Sequence, residues 1–131
     1  MRIIRASQSK FTISVAAIIV NENGEILLLD HVLRSASGWG IPGGFLAHGE
    51  QPIDAVRREL REEIGIELTD VELFRARTIY RHVEILFRAS AVGTPEVKSR
   101  EINAVGWFHP EKLPENMSRT QKEFVKNLLP R

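Results

Sequence analysis

Glu59, Glu62 and Glu63 stand close together behind Arg58, with an isolated Glu50 and a glycine, Gly44, at short intervals before them. On a helix turning about 100° per residue, these three acids fall on one face. Carboxylates on neighbouring turns repel one another, and one arginine cannot neutralise three. Arg58, at i,i+4 spacing from Glu62, can nevertheless hold that carboxylate in one orientation. An all-oxygen donor set of this kind suits hard cations, Mg²⁺ first and Mn²⁺ or Ca²⁺ next. An ordinary solvated helix face has the same composition. Ala55 is expected in the middle of the acidic face, where a small side chain leaves room for an ion.

The helix carrying these acids is bounded by its own residues. Pro52 suits a first helical position, because its missing N–H is unbonded there anyway. Asp54 in the first turn complements the helix dipole. Gly65 is placed as a C′ residue, so the helix is expected over about Gln51 to Ile64. Ile53, Val56, Leu60 and Ile64 recur at helical spacing and define a buried stripe roughly 110° from the acids. Upstream, Trp39-Gly40-Ile41-Pro42-Gly43-Gly44 reads as a loop, with Gly49 just before Glu50. Paired glycines permit a sharp turn and close approach of a ligand, and a loop feeding a helix N-terminus offers N–H groups to phosphate. A plain turn uses the same residues.

Strands are expected at about Thr12–Val20 and Glu25–Asp30, joined by the hairpin dipeptide Asn23-Gly24. Further strands are expected at Val71–Arg77, Val83–Val92 and Ala104–Phe108. Ser118 and Gln121 have capping-box spacing and open a last helix to about Leu129, with Phe124, Val125, Leu128 and Leu129 on its buried face. Strands, helix, strands and helix in that order predict an α/β protein with a mixed sheet between helices.

The chain has 131 residues, enough for one cored domain and too few for two. Its 18 Lys and Arg balance 17 acids, which argues against a nucleic-acid or membrane partner. There is no cysteine, which excludes disulfides, thiolate metal sites and cysteine nucleophiles and accords with a cytoplasmic location. Arg2, Arg5 and Lys10 before the apolar run Ile13 to Val20 imitate a signal peptide, but no small-residue cleavage site follows. No apolar stretch reaches the roughly 18 residues a bilayer span needs.

Gly44 to Ile66 resembles the Nudix box, reading G-x5-E-x7-R-E-U-x-E-E-x-G-U with Leu60 and Ile66 as the bulky aliphatics. The likeness extends more loosely to Glu101-Ile102 and Trp107-Phe108. It implies one Nudix hydrolase domain over residues 1–131, folded as an α/β/α sandwich. The implied activity is divalent-metal-dependent hydrolysis of the pyrophosphate bond in a nucleoside diphosphate linked to another group. Nucleotide sugars, nucleoside triphosphates and dinucleoside polyphosphates are the open substrate classes. Carried over by position, Glu59, Glu62 and Glu63 hold the metal, Mg²⁺ or Mn²⁺ in its place, and Gly44 adds a carbonyl ligand or close phosphate approach. Arg58 orients the glutamates and Glu50 supports it in a salt bridge. Glu101 is the candidate general base, with a box glutamate as the alternative.

Gly43, Gly44, Trp39 and Tyr80 are the candidate substrate-binding residues. Tyr80 falls near a tyrosine used by diadenosine polyphosphate hydrolases, whereas the proline expected of ADP-ribose hydrolases is absent. Trp39, Tyr80 and Phe87 can stack on a base or belong to the core. His48, His31 and Arg34 can meet phosphate or water, and His82 and His109 carry no motif. Two-chain assembly is common among such enzymes, so a homodimer is one expected state. The rival class is a nucleotide-sensing module with little catalysis; it would normally show a broken box or an added DNA-binding domain, and this chain shows neither.

Overall fold

The computed structural model describes residues 10–32 and 38–128; Arg2, Arg5, Arg34 and Leu129 lie outside them. The elements are β1 (Thr12–Ile19), β2 (Ile26–His31), β3 (Trp39–Gly40), β4 (Gly43–Phe45), α1 (Pro52–Ile64), β5 (Glu67–Ile79), β6 (His82–Val92), β7 (Ile102–Phe108) and α2 (Arg119–Leu128). The strands form two sheets, a four-stranded one in the order β4-β1-β6-β5 and a three-stranded one in the order β3-β2-β7. β1 runs parallel to β6 and antiparallel to β4, which makes the larger sheet mixed.

Period-two alternation sends successive side chains to opposite faces and so builds two cores. Val15, Ala17 and Ile19 of β1, Leu27 and Leu29 of β2, and Phe87 and Ala89 of β6 pack with Val56, Leu60 and Ile64 of α1. Ile18, Ile26, Leu28 and Leu86 point the other way and pack with Phe124, Val125 and Leu128 of α2. Covered on both sides, the inner stretches Val15–Ile19 of β1 and Ile26–Leu29 of β2 are apolar at every position. The result is an α/β/α sandwich. No described helix is long and apolar enough to cross a membrane.

The connection between β1 and β2 differs from the expected two-residue hairpin. The strands share only an isolated bridge, Val20 to Ile26, and then separate into different sheets. The Asn21 side chain shapes the turn instead, its Oδ1 accepting from the N–H groups of Asn23 at 3.0 Å and Glu25 at 2.9 Å. Each strand has two better partners elsewhere, β4 and β6 for β1, β3 and β7 for β2, so the local turn dipeptide does not decide the pairing.

α1 begins with Pro52 in its first turn and ends at Gly65, whose φ of 71° lies in the left-handed region. The Gly65 N–H closes the last turn on the Arg61 carbonyl at 3.0 Å. Two side chains depart from their expected places. Ile53 is 37% exposed, and Ala55 is fully buried in the core rather than open on the acidic face. The buried arc of α1 is therefore wider than its apolar stripe and takes in Glu63.

Candidate active site

Arg58 organises the acidic face. Its Nε donates to Glu50 Oε2 at 2.8 Å and its Nη2 to Glu50 Oε1 at 3.0 Å, a two-pronged grip. Its Nη1 reaches Glu59 Oε1 at 3.1 Å and Glu62 Oε2 at 3.4 Å, and Nη2 also meets the Phe45 carbonyl at 3.4 Å. The bond from Arg58 lowers the Glu50 pKa, and Glu50 in return raises that of Arg58. Glu50 also accepts from the Ala47 N–H at 3.1 Å, so it ties the loop before α1 to the helix.

The glycine segment, read from sequence as a loop, is two short strands belonging to different sheets: β3 pairs with β2 and β4 with β1. The chain crosses between the sheets at Ile41-Pro42. Both residues are anchored, with the Ala17 N–H donating to the Pro42 carbonyl at 3.0 Å and the Ile41 N–H donating to Gln121 Oε1 at 2.9 Å. Gln121 is thus drawn away from the reciprocal capping box expected of it. Only half of that box forms, the Gln121 N–H donating to Ser118 Oγ at 3.2 Å.

β4 places its two glycines against different neighbours. A Cβ on Gly43 would come within 2.1 Å of the Val15 carbonyl oxygen, so Gly43 is required by the β1–β4 pairing itself. A Cβ on Gly44 would come within 2.5 Å of the Glu59 carboxyl carbon and Oε1. Gly44 therefore opens the loop backbone directly onto a glutamate. Glu59 and Glu63 are largely buried, whereas the Glu62 side chain is 61% exposed.

Downstream, the segment after β6 is fastened to the end of α1. The Glu96 N–H donates to the Ile64 carbonyl at 3.0 Å and the Lys98 N–H to the Glu63 carbonyl at 2.9 Å. Glu101 follows in an exposed turn before β7, and its carbonyl accepts from the Val32 N–H at 2.8 Å. Its backbone is thus held in the segment that meets Glu63, while its side chain is in water.

The remaining candidates fall in different places. Trp39 packs edge-on against Phe108, with centroids 4.9 Å apart, beside the α2 core. Phe87 is a core residue. Tyr80, at the tip of the β5–β6 hairpin with φ 54°, is 97% exposed and is not brought against the box. His48 is exposed in the loop before α1, and His31 ends β2. His82, which carries no motif, is bound at both ring nitrogens, Nδ1 to Thr12 Oγ1 at 2.6 Å and Nε2 to Ser14 Oγ at 2.7 Å. Neither the His82 contacts nor the Gln121 contact with Ile41 is marked by local spacing, since each spans some seventy or eighty residues.

The donor chemistry suits a hard divalent cation, with carboxylate oxygens around a cradle that a Cβ at Gly44 would fill. Among the described residues the acids do not converge as a ready three-donor group, because Arg58 engages both Glu59 and Glu62.

A family model described as NUDIX domain matches residues 10–128. The chain is 37% identical over 113 residues to a MutT-like protein of Streptomyces ambofaciens, covering 82% of this chain and 70% of that protein. It is 30% identical over 107 residues to an 8-oxo-dGDP phosphatase of Danio rerio, covering 76% of this chain but only 33% of that protein. It is 33% identical over 116 residues to the m7GpppN-mRNA hydrolase of Saccharomyces cerevisiae, covering 82% of this chain and spanning 12% of the yeast protein. Among solved structures, the MutT NUDIX hydrolase of Burkholderia pseudomallei superposes with a TM-score of 0.82 at 28% identity, over 92% of this chain and all of that one. With a family model matched over residues 10–128 and a relative 37% identical over 82% of the chain, the chain belongs to the Nudix hydrolase family.

Proposed function

We propose that this protein hydrolyses the pyrophosphate bond of a nucleoside diphosphate derivative with Mg²⁺, or Mn²⁺ in its place. The observation that carries this reading is the Glu59 carboxylate lying where a Gly44 side chain would be, clamped by Arg58 beside Glu62. Glu59, Glu62 and Glu63 would hold the cation, with the Gly44 carbonyl as a further donor. When bound, such an ion activates water and neutralises phosphate oxygens. Arg58 keeps the carboxylates aligned, and Glu50 keeps Arg58 in place. Gly44 would offer its backbone to the phosphates, next to Gly43, whose missing side chain admits β1. Glu101, exposed on a backbone held by the Val32 N–H, would take the proton from the attacking water.

The relatives named 8-oxo-dGDP phosphatase and m7GpppN-mRNA hydrolase support a nucleotide-derived substrate. The test is a panel of nucleoside triphosphates, oxidised nucleotides, nucleotide sugars and dinucleoside polyphosphates, scored for released phosphate or nucleotide with each metal. Glu63→Gln should lower kcat roughly a hundredfold or more, since metal-borne charge stabilisation is worth several kcal/mol. Glu101→Gln should also lower kcat by about a hundredfold with little change in KM. Near-normal turnover in Glu63→Gln would remove the metal assignment, and an unchanged pH–rate profile in Glu101→Gln would remove the base.

A further inference from the structure

The turn that carries Glu101 is tied on both sides to elements that frame the acidic face. Before it, the Lys98 N–H donates to the Glu63 carbonyl at 2.9 Å and the Glu96 N–H to the Ile64 carbonyl at 3.0 Å. Carbonyls in the last turn of a helix have no donor within it, so this segment caps α1. After the turn, Ile102 is 4% exposed in the α1 core and pairs with His31 of β2. Only Ser99 and Arg100 stand between Lys98 and Glu101. A short bridge therefore joins a box glutamate to the proposed base.

Gly65 admits that bridge. A Cβ there would run into Cδ and Cε of Lys98, so the lysine stem crosses the end of α1 over bare backbone. Ser99 then shapes the turn with two bonds of its own. Its Oγ accepts from the Glu101 N–H at 3.1 Å, and its carbonyl accepts from the Ile102 N–H at 3.2 Å. A serine hydroxyl that takes the N–H two residues on imitates a backbone turn. The Glu101 carbonyl is taken by the Val32 N–H at 2.8 Å. Both backbone groups of Glu101 are thus held while its side chain is exposed.

We propose that Ser99 is a positioning residue for the hydrolysis, its hydroxyl fixing the turn that sets Glu101 at a constant offset from Glu63. This rests on the hydrolase reading and on Glu101 as its base. A reacting group displaced by about an ångström can lose a hundredfold in rate, so a bond at the root of the base is felt in kcat. Substrate affinity does not depend on where the base points, and KM should stand.

The test is a double-mutant cycle in steady-state kinetics, with the panel nucleotide that is turned over fastest. Ser99→Ala should lower kcat roughly threefold to tenfold, the size of one net hydrogen bond, with KM and melting temperature nearly unchanged. Ser99→Thr, which keeps the hydroxyl, should restore kcat. In a Glu101→Gln background Ser99→Ala should lower the rate no further, because its effect passes through the carboxylate it positions. A wild-type kcat in Ser99→Ala overturns the proposal, as does a Ser99→Ala loss that multiplies with that of Glu101→Gln. A raised KM at unchanged kcat would place Ser99 against the substrate and overturn it too. So would Ser99→Thr falling as far as Ser99→Ala. The single variants separate the readings: a normal Ser99→Ala beside a slow Glu101→Gln removes the positioning role alone. Glu101→Gln at the wild-type rate removes the base and the positioning role together, and a wild-type chain that turns over no panel substrate sinks the hydrolase reading with both.

Discussion

Arg58 is the residue on which the acidic face turns, since it meets Glu50, Glu59, Glu62 and the Phe45 carbonyl at once. The two glycines of β4 show how adjacent residues of one type can serve different ends. A methyl group on Gly43 must displace strand backbone at Val15, whereas one on Gly44 displaces only a carboxylate that can rotate. Gly43→Ala should therefore lower the melting temperature strongly or prevent folding. Gly44→Ala should fold with a nearly unchanged melting temperature while kcat falls at least about tenfold, in the range of lost metal-site support. Thermal melts and kinetics on the two purified variants check this, and equal melting temperatures would refute it. The box residues and their spacing were legible because they are contiguous and act through one helix. The separate duties of Gly43 and Gly44 were not, because they depend on what β1 and α1 bring opposite them.

At the scale of elements, the glycine segment works because other elements fix it. α2, on the far face of the sandwich, reaches it through Gln121, which accepts from the N–H of Ile41, a residue 2% exposed. Removing that acceptor leaves a buried donor unmatched, which costs about 1–3 kcal/mol. Gln121→Ala should lose about that much stability in urea unfolding, and Gln121→Glu, which keeps an acceptor, should lose less. A loss below about 0.5 kcal/mol in Gln121→Ala would show that the bond does not hold the segment. From spacing alone Gln121 belongs to a capping box, and its Ser118 partner does cap through Oγ. The side chain's longer reach was illegible, because a contact across eighty residues leaves no local pattern.

At the scale of the whole molecule, one β layer serves two cores, and β1 contributes alternate residues to both. Neither face can be lost without exposing the other side of the same strands, so the domain should unfold as one unit. Each core holds its own reporter, Trp107 against the α1 core and Trp39 against the α2 core. Urea unfolding followed by fluorescence in Trp39→Phe and in Trp107→Phe should give a single transition in each. Leu60→Ala, on the α1 side, should lower stability by about 2–5 kcal/mol in both reporters alike. A transition confined to one tryptophan would show independent halves. What the amino-acid order determined unaided was the set of things that depend on near neighbours: the helix between Pro52 and Gly65, the shared face of its glutamates, and the apolar runs of β1 and β2. Only the folded chain decided which strands pair, that the glycine loop is split between two sheets, and that Lys98 meets the Glu63 carbonyl, because these depend on contacts between distant residues that no short pattern encodes.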